Sequence, residues 1–362
     1  MRIAILGTRG IPNNYGGFEQ FAECFATYLV KHKHDVYVYN SHNHIFQESS
    51  YKDVNIIHQY DPENKIGTVG QFIYDLNCIL DSRKRNFDII LQLGYTSNSI
   101  WSFLLPKKAI IVTNMDGMEW KRCKYSKLTQ KFLQFAEKRA AKSSDFLVAD
   151  SLGIQRYLKE KYNKDSSFIA YGAEVFLNPT ENLLLEYKVE KYNYNLLIAR
   201  FEPENNLEII LDGVAESYDD KGILVVGNHE NNFGNYLKKK FQNNQKIHFV
   251  GAIYNKEHLD NLRFFSNIYF HGHSVGGTNP SLLEAMAAKS LIVAHNNEFN
   301  KAILQENAFY FTNIKEVRHI IESVTRKNHE QMIQHNFETI IQEFNWNKIN
   351  ESYLNLFKEL LQ

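Results

Sequence analysis

The chain has little of what usually fixes a function class at once. Its three cysteines, Cys24, Cys78 and Cys123, are irregularly spaced and make neither a metal-ligand set nor a disulfide framework, so a reducing compartment is expected. No apolar run approaches the roughly 20 residues that cross a bilayer. Met1-Arg2 leads straight into Ile3-Ala4-Ile5-Leu6 without the regions of a signal peptide, and the expected location is cytoplasmic. His42 and His44 have no Cys or Asp at ligand spacing, so no metal is expected there. Net charge is also absent, but its distribution is uneven. Residues 1–175 carry 23 Lys/Arg against 18 Asp/Glu, and the rest of the chain reverses that balance. Ten basic and three acidic residues lie between Lys107 and Lys142, which suits either a solvated helix face or an anionic surface or ligand.

What is present is length and alternation. A chain of 362 residues, 44% of them hydrophobic, can bury two cores more readily than one. Strands are predicted at Ile3–Leu6, Asp35–Tyr39, Val54–His58, Phe87–Leu91, Ala109–Thr113, Phe146–Ala149 and Phe168–Ala170. Helical segments fall between them, and the pattern reads as parallel β-α-β construction. A polar stretch follows Ala170-Tyr171-Gly172, and a second series starts at Tyr194–Ala199. It continues through Gly222–Val226, Ile247–Val250, Asn267–Phe270, Ser290–Ala294 and Phe309–Phe311. The expected domains are 1–175 and 176–342, and the last long segment, Ile314 to Gln362, reads as an amphipathic helix ending the chain, a form suited to binding a partner.

Four loops after predicted strands carry candidate chemistry. His271 to Asn279 leads into an Ala/Leu/Met-rich helix with Pro280 in its first turn. Gly276 and Gly277 allow close backbone approach, and the N–H groups of Thr278, Asn279 and the helix start suit an anion. Glu284, one turn in, is either a ribose-binding carboxylate or a surface residue. After the first strand, Gly7 to Gly17 lies where open α/β sheets bind ligands. Glu19 there either favours the helix start by its charge or meets a substrate hydroxyl. Asp116 and Glu119 stand in the loop after Thr113. Asp116 is either a reacting or hydroxyl-binding group or the N-cap of a capping box, while Lys121 and Arg122 suit phosphate. Arg200 ends the first strand of the second series, where a guanidinium can grip phosphate or make a surface ion pair, and Asn205 or Asn206 reads as the following N-cap.

Taken together, Gly7-Thr8-Arg9-Gly10-Ile11-Pro12, Tyr15-Gly16-Gly17-Phe18-Glu19, Asp116-Gly117-x-Glu119-Trp120-Lys121-Arg122, Ala199-Arg200-x-x-Pro203-Glu204-Asn205-Asn206 and Gly272 through Ala285 resemble glycosyltransferase family 4. The resemblance is to its bacterial rhamnosyltransferase-like branch for surface polysaccharides. It implies the α/β GT-B fold, with two Rossmann-like domains facing across a cleft, and retaining transfer from a nucleotide diphosphate sugar without a metal. It also implies that the C-terminal helix at 343–362 crosses back to pack on the N-terminal domain. By that resemblance Gly16 and Gly17 approach the donor diphosphate, Arg200 clamps it and Glu284 holds the ribose. Asp116, Arg200 and Glu19 are the catalytic candidates, and Asn205, Gly276, Gly277, Thr278 and Asn279 join the donor-binding set. Asn205 stands where the wider family has a lysine, and Gly276 where it has a glutamate.

The favoured donor is dTDP-L-rhamnose, with UDP- or GDP-linked sugars as alternatives. The implied acceptor is a lipid-linked saccharide at an anionic inner membrane, and no nucleic acid is expected. A sugar-nucleotide hydrolase or epimerase and a non-catalytic sugar-nucleotide-binding protein are the competing function classes.

Overall fold

The computed structural model describes every residue except Cys123. Cys123, the third of the irregularly spaced cysteines, therefore lies outside the described residues, while Cys24 and Cys78 are thiols. The chain divides into two compact units. One comprises Met1–Lys121, Tyr125–Tyr171 and Trp346–Gln362, and the other Arg122–Lys124 and Gly172–Asn345.

In the N-terminal unit the strands are β1 (Arg2–Leu6), β2 (Asp35–Ser41), β3 (Ser50–Tyr51), β4 (Val54–Gln59), β5 (Ile89–Leu93), β6 (Ile110–Asn114), β7 (Phe146–Ala149) and β8 (Ser166–Phe168). They order as β3-β4-β2-β1-β5-β6-β7-β8, all parallel except β3 against β4. Continuous apolar runs such as Ile3-Ala4-Ile5-Leu6 are buried because parallel strands are covered on both faces. The covering helices are α1 (Gly17–Lys31), α2 (Glu63–Ile66), α3 (Val69–Ser82), α4 (Lys127–Ser143) and α5 (Leu152–Tyr162). The helix predicted at Ser97–Leu104 is instead a 3-10 turn over Ser99–Leu104. The strand expected at Phe168–Ala170 sits two residues earlier, because Leu147, Val148 and Ala149 of β7 pair with Ser166, Ser167 and Phe168.

The C-terminal unit contains β9 (Tyr194–Ile198), β10 (Gly222–Val226), β11 (Ile247–Gly251), β12 (Tyr269–His271), β13 (Ile292–His295) and β14 (Phe309–Phe311). Its helices are α6 (Leu207–Glu216), α7 (Asn232–Phe241), α8 (Lys256–Phe265), α9 (Pro280–Ala287), α10 (Glu298–Leu304), α11 (Ile314–Ser323) and α12 (Glu330–Glu343). All pairings are parallel, in the order β11-β10-β9-β12-β13-β14. The first strand of this series thus lies beside the fourth, and the order in which strands are added to the sheet reverses between β9 and β12. Such a reversal separates the connections on the two sides and leaves a crevice beyond the carboxyl ends of both strands. The N-terminal sheet has the same reversal between β1 and β5. Both units are α/β and Rossmann-like.

The segment from Ile314, read above as one terminal helix, is broken into α11, α12 and α13 (Trp346–Leu360). Helix α13 counts with the N-terminal unit. Its buried Ile349, Tyr353 and Phe357 recur every fourth residue, so they share one face. Tyr353 lies 4.8 Å from Phe21 and 5.2 Å from Phe25 of α1, and Phe357 lies 5.6 Å from Phe25, between ring centroids. Burying two such aromatic side chains is worth roughly 1.5–3 kcal/mol each.

Candidate active site

In the C-terminal unit, Arg200 follows β9 with its side chain exposed, and the loop from Gly272 to Asn279 follows β12. Polar contacts brace the first of these loops and stitch the two together. Asn205 Nδ2 donates to the Arg200 carbonyl at 2.8 Å, and Asn206 Nδ2 donates to the Gly272 carbonyl at 2.7 Å. Ser274 donates its N–H and hydroxyl to the Glu204 carbonyl. The loops pack so closely that a Cβ on Gly272 would fall 2.0 Å from the Asn205 carbonyl oxygen. Asn205, placed among the ligand-binding residues above, is buried with its amide on the backbone. That geometry makes it a brace for the Arg200 loop. Asn206 occupies the N-cap position of α6, but with φ +52° and no side-chain cap bond.

The loop after β12 ends in a well-formed helix start. Asn279 Oδ1 accepts from Ser281 N–H at 2.9 Å and Pro280 takes the first helical position. Gly276 has φ +130°, with nothing within 4 Å of a would-be Cβ, so backbone conformation rather than crowding selects glycine. Gly277 is partly buried and Thr278 buried.

Glu284 is held from behind. Its Oε2 accepts from Arg263 Nη2 at 2.5 Å, and Arg263 Nη1 donates to Asp260 at 3.0 Å. The Arg263 side chain is only 2% exposed, whereas that of Glu284 is 23% exposed, so one edge of the carboxylate is fixed while part of it meets solvent. Arg263 was missed in the sequence. Its only signal, Asp260 three residues earlier on α8, also describes an ordinary surface pair.

Buried polar atoms collect beside these groups. The rings of His271 and His273 stack at 4.5 Å and 15°. Among the described residues, neither nitrogen of His271, nor Nδ1 of His273, nor either carboxylate oxygen of Glu204 has a hydrogen-bond partner. Burial, helped by Arg200 and Arg122, pushes His273 down to about 3, and burial also drives His271 well below the usual histidine range. Both rings are therefore neutral at neutral pH. Arg122 Nη1 lies 3.9 Å from Glu204 Oε1, and Lys124 pairs with Glu202 at 3.6 Å. Arginine charge around neutral imidazoles at a sheet crevice suits an anionic ligand.

In the N-terminal unit, Gly16 is the extended N-cap of α1 and Gly17 its first residue. Glu19 is buried, and its Oε1 accepts from Arg9 N–H at 2.9 Å. The same loop is held by Arg9, which forks onto Glu63 at 3.1 and 2.8 Å and lies over the Tyr15 ring. The geometry of Glu19 is that of a residue shaping the loop.

Asp116 sits just past β6 with φ +50°, and its N–H donates to Asn114 Oδ1 at 2.9 Å. Only a 3-10 turn over Glu119–Lys121 follows, so Asp116 does not cap an α-helix. Asn114 Nδ2 in turn donates to the Tyr353 hydroxyl at 2.9 Å, which connects α13 to this loop. The loop's far end is held by Trp120 Nε1, donating to Glu137 Oε2 at 3.0 Å. Buried Glu137 also accepts from Tyr157, Tyr162 and Lys161. Its weight was invisible in the sequence, where it is one acid within a basic helix.

Among the described residues no group of three or more His, Cys, Asp or Glu is placed to hold a metal ion, and no helix is long and apolar enough to cross a membrane.

Residues 186–340 match the family model for glycosyl transferases group 1, and residues 1–174 match a domain of unknown function, DUF1972. An uncharacterized glycosyltransferase of Methanocaldococcus jannaschii is 23% identical, over 96% of this chain and 95% of the relative. Among solved structures, sucrose-phosphate synthase from Thermosynechococcus elongatus superposes with a TM-score of 0.78 at 13% identity, covering 99% of each chain. Anabaena HepE, in complex with UDP and glucose, gives 0.74 at 16% identity, over 99% of this chain and all of the other. The chain is a GT-B-type glycosyltransferase. In this enzyme the group-1 match contains Arg200, Asn205, Gly276 and Glu284, while Gly16, Glu19 and Asp116 fall within the DUF1972 match.

Proposed function

We propose that the enzyme transfers a sugar, with retained configuration, from a nucleotide diphosphate donor to a hydroxyl of a lipid-linked saccharide. The observation that carries this reading is the constellation at the β9/β12 crevice. Arg200 and the N–H groups following Gly276 and Gly277 offset charge on the departing diphosphate. Glu284, pre-aligned by Arg263, takes the two ribose hydroxyls. Thr278 and Asn279 shape the helix start, and Asn205 keeps the Arg200 loop in place. Asp116 orients the acceptor hydroxyl or the reacting sugar, Gly16 and Gly17 keep the α1 start open to a substrate, and Glu19 sets the shape of that loop.

For the donor we favour a UDP-linked hexose, the alternative in the sequence reading, over dTDP-L-rhamnose. HepE, a similar fold, was solved with UDP and glucose, and no residue described above is specific for a deoxysugar. The basic run Lys107–Lys142 supports an acceptor presented at an anionic cytoplasmic membrane surface. No divalent metal enters this reading, since the arginine and the helix start supply the electrostatic role.

The test is a panel of UDP-glucose, UDP-galactose, GDP-mannose and dTDP-L-rhamnose with a short lipid-diphosphate saccharide, read by product mass and anomeric proton couplings. A retained-configuration glycoside from a UDP-sugar, undiminished by chelator, is expected. Rhamnosyl transfer alone restores the first donor assignment. Release of free sugar without a glycoside overturns transfer to this acceptor, and a strict divalent-metal requirement overturns the metal-free step.

A further inference from the structure

Helix α4 presents an unusual outer face. At 3.6 residues per turn, Lys127, Lys131, Lys138 and Lys142 fall within an arc of about 60°, and all four are exposed. Leu128, Phe132 and Phe135 occupy the next arc of about 60° around the helix. Leu128 is 81% exposed and Phe135 52% exposed. The only acid in the helix, Glu137, points the other way and is buried among its donors. A helix that merely needed a solvated face would not carry large apolar side chains there.

The apolar arc continues onto neighbouring segments. Phe132 meets Phe72 of α3 at 5.7 Å between ring centroids, and Arg139 Nη2 donates to Ser102 Oγ at 2.9 Å. Beside these contacts stand Phe103, 68% exposed, and Val69, 62% exposed. Lys107 and Lys108, also exposed, follow Phe103. The acids of α2 and α3 are already engaged. Glu63 is paired with Arg9, Asp81 with Arg85, and Asp75 is buried against Ser97.

We propose that this face, formed by α4, the Ser99–Leu104 turn and the start of α3, is the membrane-docking surface of the enzyme. Leu128, Phe135 and Phe103 enter the headgroup boundary while the lysine row lies on anionic phosphates. The occupant is a lipid surface because apolar insertion and a row of cations are side by side on one helix. That is the pattern of an interfacial helix, each lysine adding about 1 kcal/mol near an anionic leaflet. An acidic protein partner would satisfy the lysines but offers no reason for the exposed phenylalanines. The inference rests on the lipid-linked acceptor proposed above. Helix α4 also carries Glu137, which holds Trp120 at the end of the Asp116 loop, so the docking helix is the one that supports the proposed acceptor-side loop.

The test uses the full chain in flotation with phosphatidylcholine vesicles, with or without about 30 mol% phosphatidylglycerol. Binding is expected only with the anionic lipid. Replacing the four α4 lysines by glutamine should weaken it at least about tenfold and reduce its salt sensitivity. Leu128→Ser with Phe135→Ser should weaken it at low and high salt alike. UDP binding by calorimetry and thermal unfolding should be unchanged in both variants, which establishes that they are folded. Equal binding to neutral vesicles, no binding to anionic ones, or full binding by both variants overturns the proposal. A concentration-dependent dimer that Phe135→Ser abolishes would assign the face to a second copy and also overturn it. Sugar transfer to a soluble acceptor, measured in parallel without vesicles, reports on the proposed reaction separately from docking.

Discussion

Replacing Arg263 by methionine tests the C-terminal site at its least visible member. The side chain is 2% exposed and bridges Glu284 and Asp260. Methionine fills much of the space but leaves both carboxylates without that cation. Losing one partner of a buried ion pair costs about 3–5 kcal/mol. The lower end applies here, because Asp260 keeps Lys256 at 2.5 Å and Glu284 is partly in water. A loss of about 3 kcal/mol lowers the melting temperature of a unit this size by about 6–12 °C.

The distinctive outcome lies in the double variant. Adding Glu284→Gln removes the uncompensated charge, so Arg263→Met/Glu284→Gln should recover about 1–2 kcal/mol relative to additivity. UDP affinity should not recover, because the oriented carboxylate is gone in both variants. Scanning calorimetry at matched scan rate and titration with UDP measure the two effects. A melting temperature for Arg263→Met at the wild-type value, or strictly additive single effects, would refute the reasoning.

Gly276→Ala should reduce stability by about 1–3 kcal/mol through backbone strain at φ +130°, with no steric clash, and should weaken UDP binding in the same titration. His273 contributes a pH dependence of definite sign. The unfolded imidazole takes up its proton near the usual value of about 6.5, whereas the folded one does so only near 3. Its contribution is therefore complete above the unfolded value and is lost as pH falls through that interval, and His273→Asn should flatten urea midpoints measured from neutrality to pH 4. Asp75 acts oppositely, since burial raises it to about 7; its contribution is present in acid and lost as pH rises, so Asp75→Asn should gain roughly 1–3 kcal/mol at pH 8 and nothing at pH 4. Tyr353→Phe removes the acceptor for Asn114 Nδ2. It should cost about 1–3 kcal/mol and lower kcat more than donor affinity, and unchanged kinetics would sever α13 from the Asp116 loop.

The sequence alone determined the alternation of strands and helices, because parallel strands buried on both faces must be apolar throughout and amphipathic helices must repeat at 3.6 residues. It also marked which loops are candidates for chemistry, since Arg200, Gly276, Gly277 and Glu284 follow predicted strands at local, countable spacings. Tertiary structure decided what each polar side chain faces. Asn205 and Glu19 look like ligand-binding residues in one dimension, yet one bonds the Arg200 carbonyl and the other the Arg9 amide. Asp116 meets the capping-box spacing, but its left-handed backbone and the short turn after it rule that role out. Arg263 and Glu137 become central only when helices pack, because a charge acquires its weight from burial and from partners many residues away. The order β9 beside β12 was likewise outside the reach of local pattern: hydrophobic runs specify that strands exist, while the pairing that places Arg200 next to the Gly272 loop is a long-range choice made by the assembled sheet.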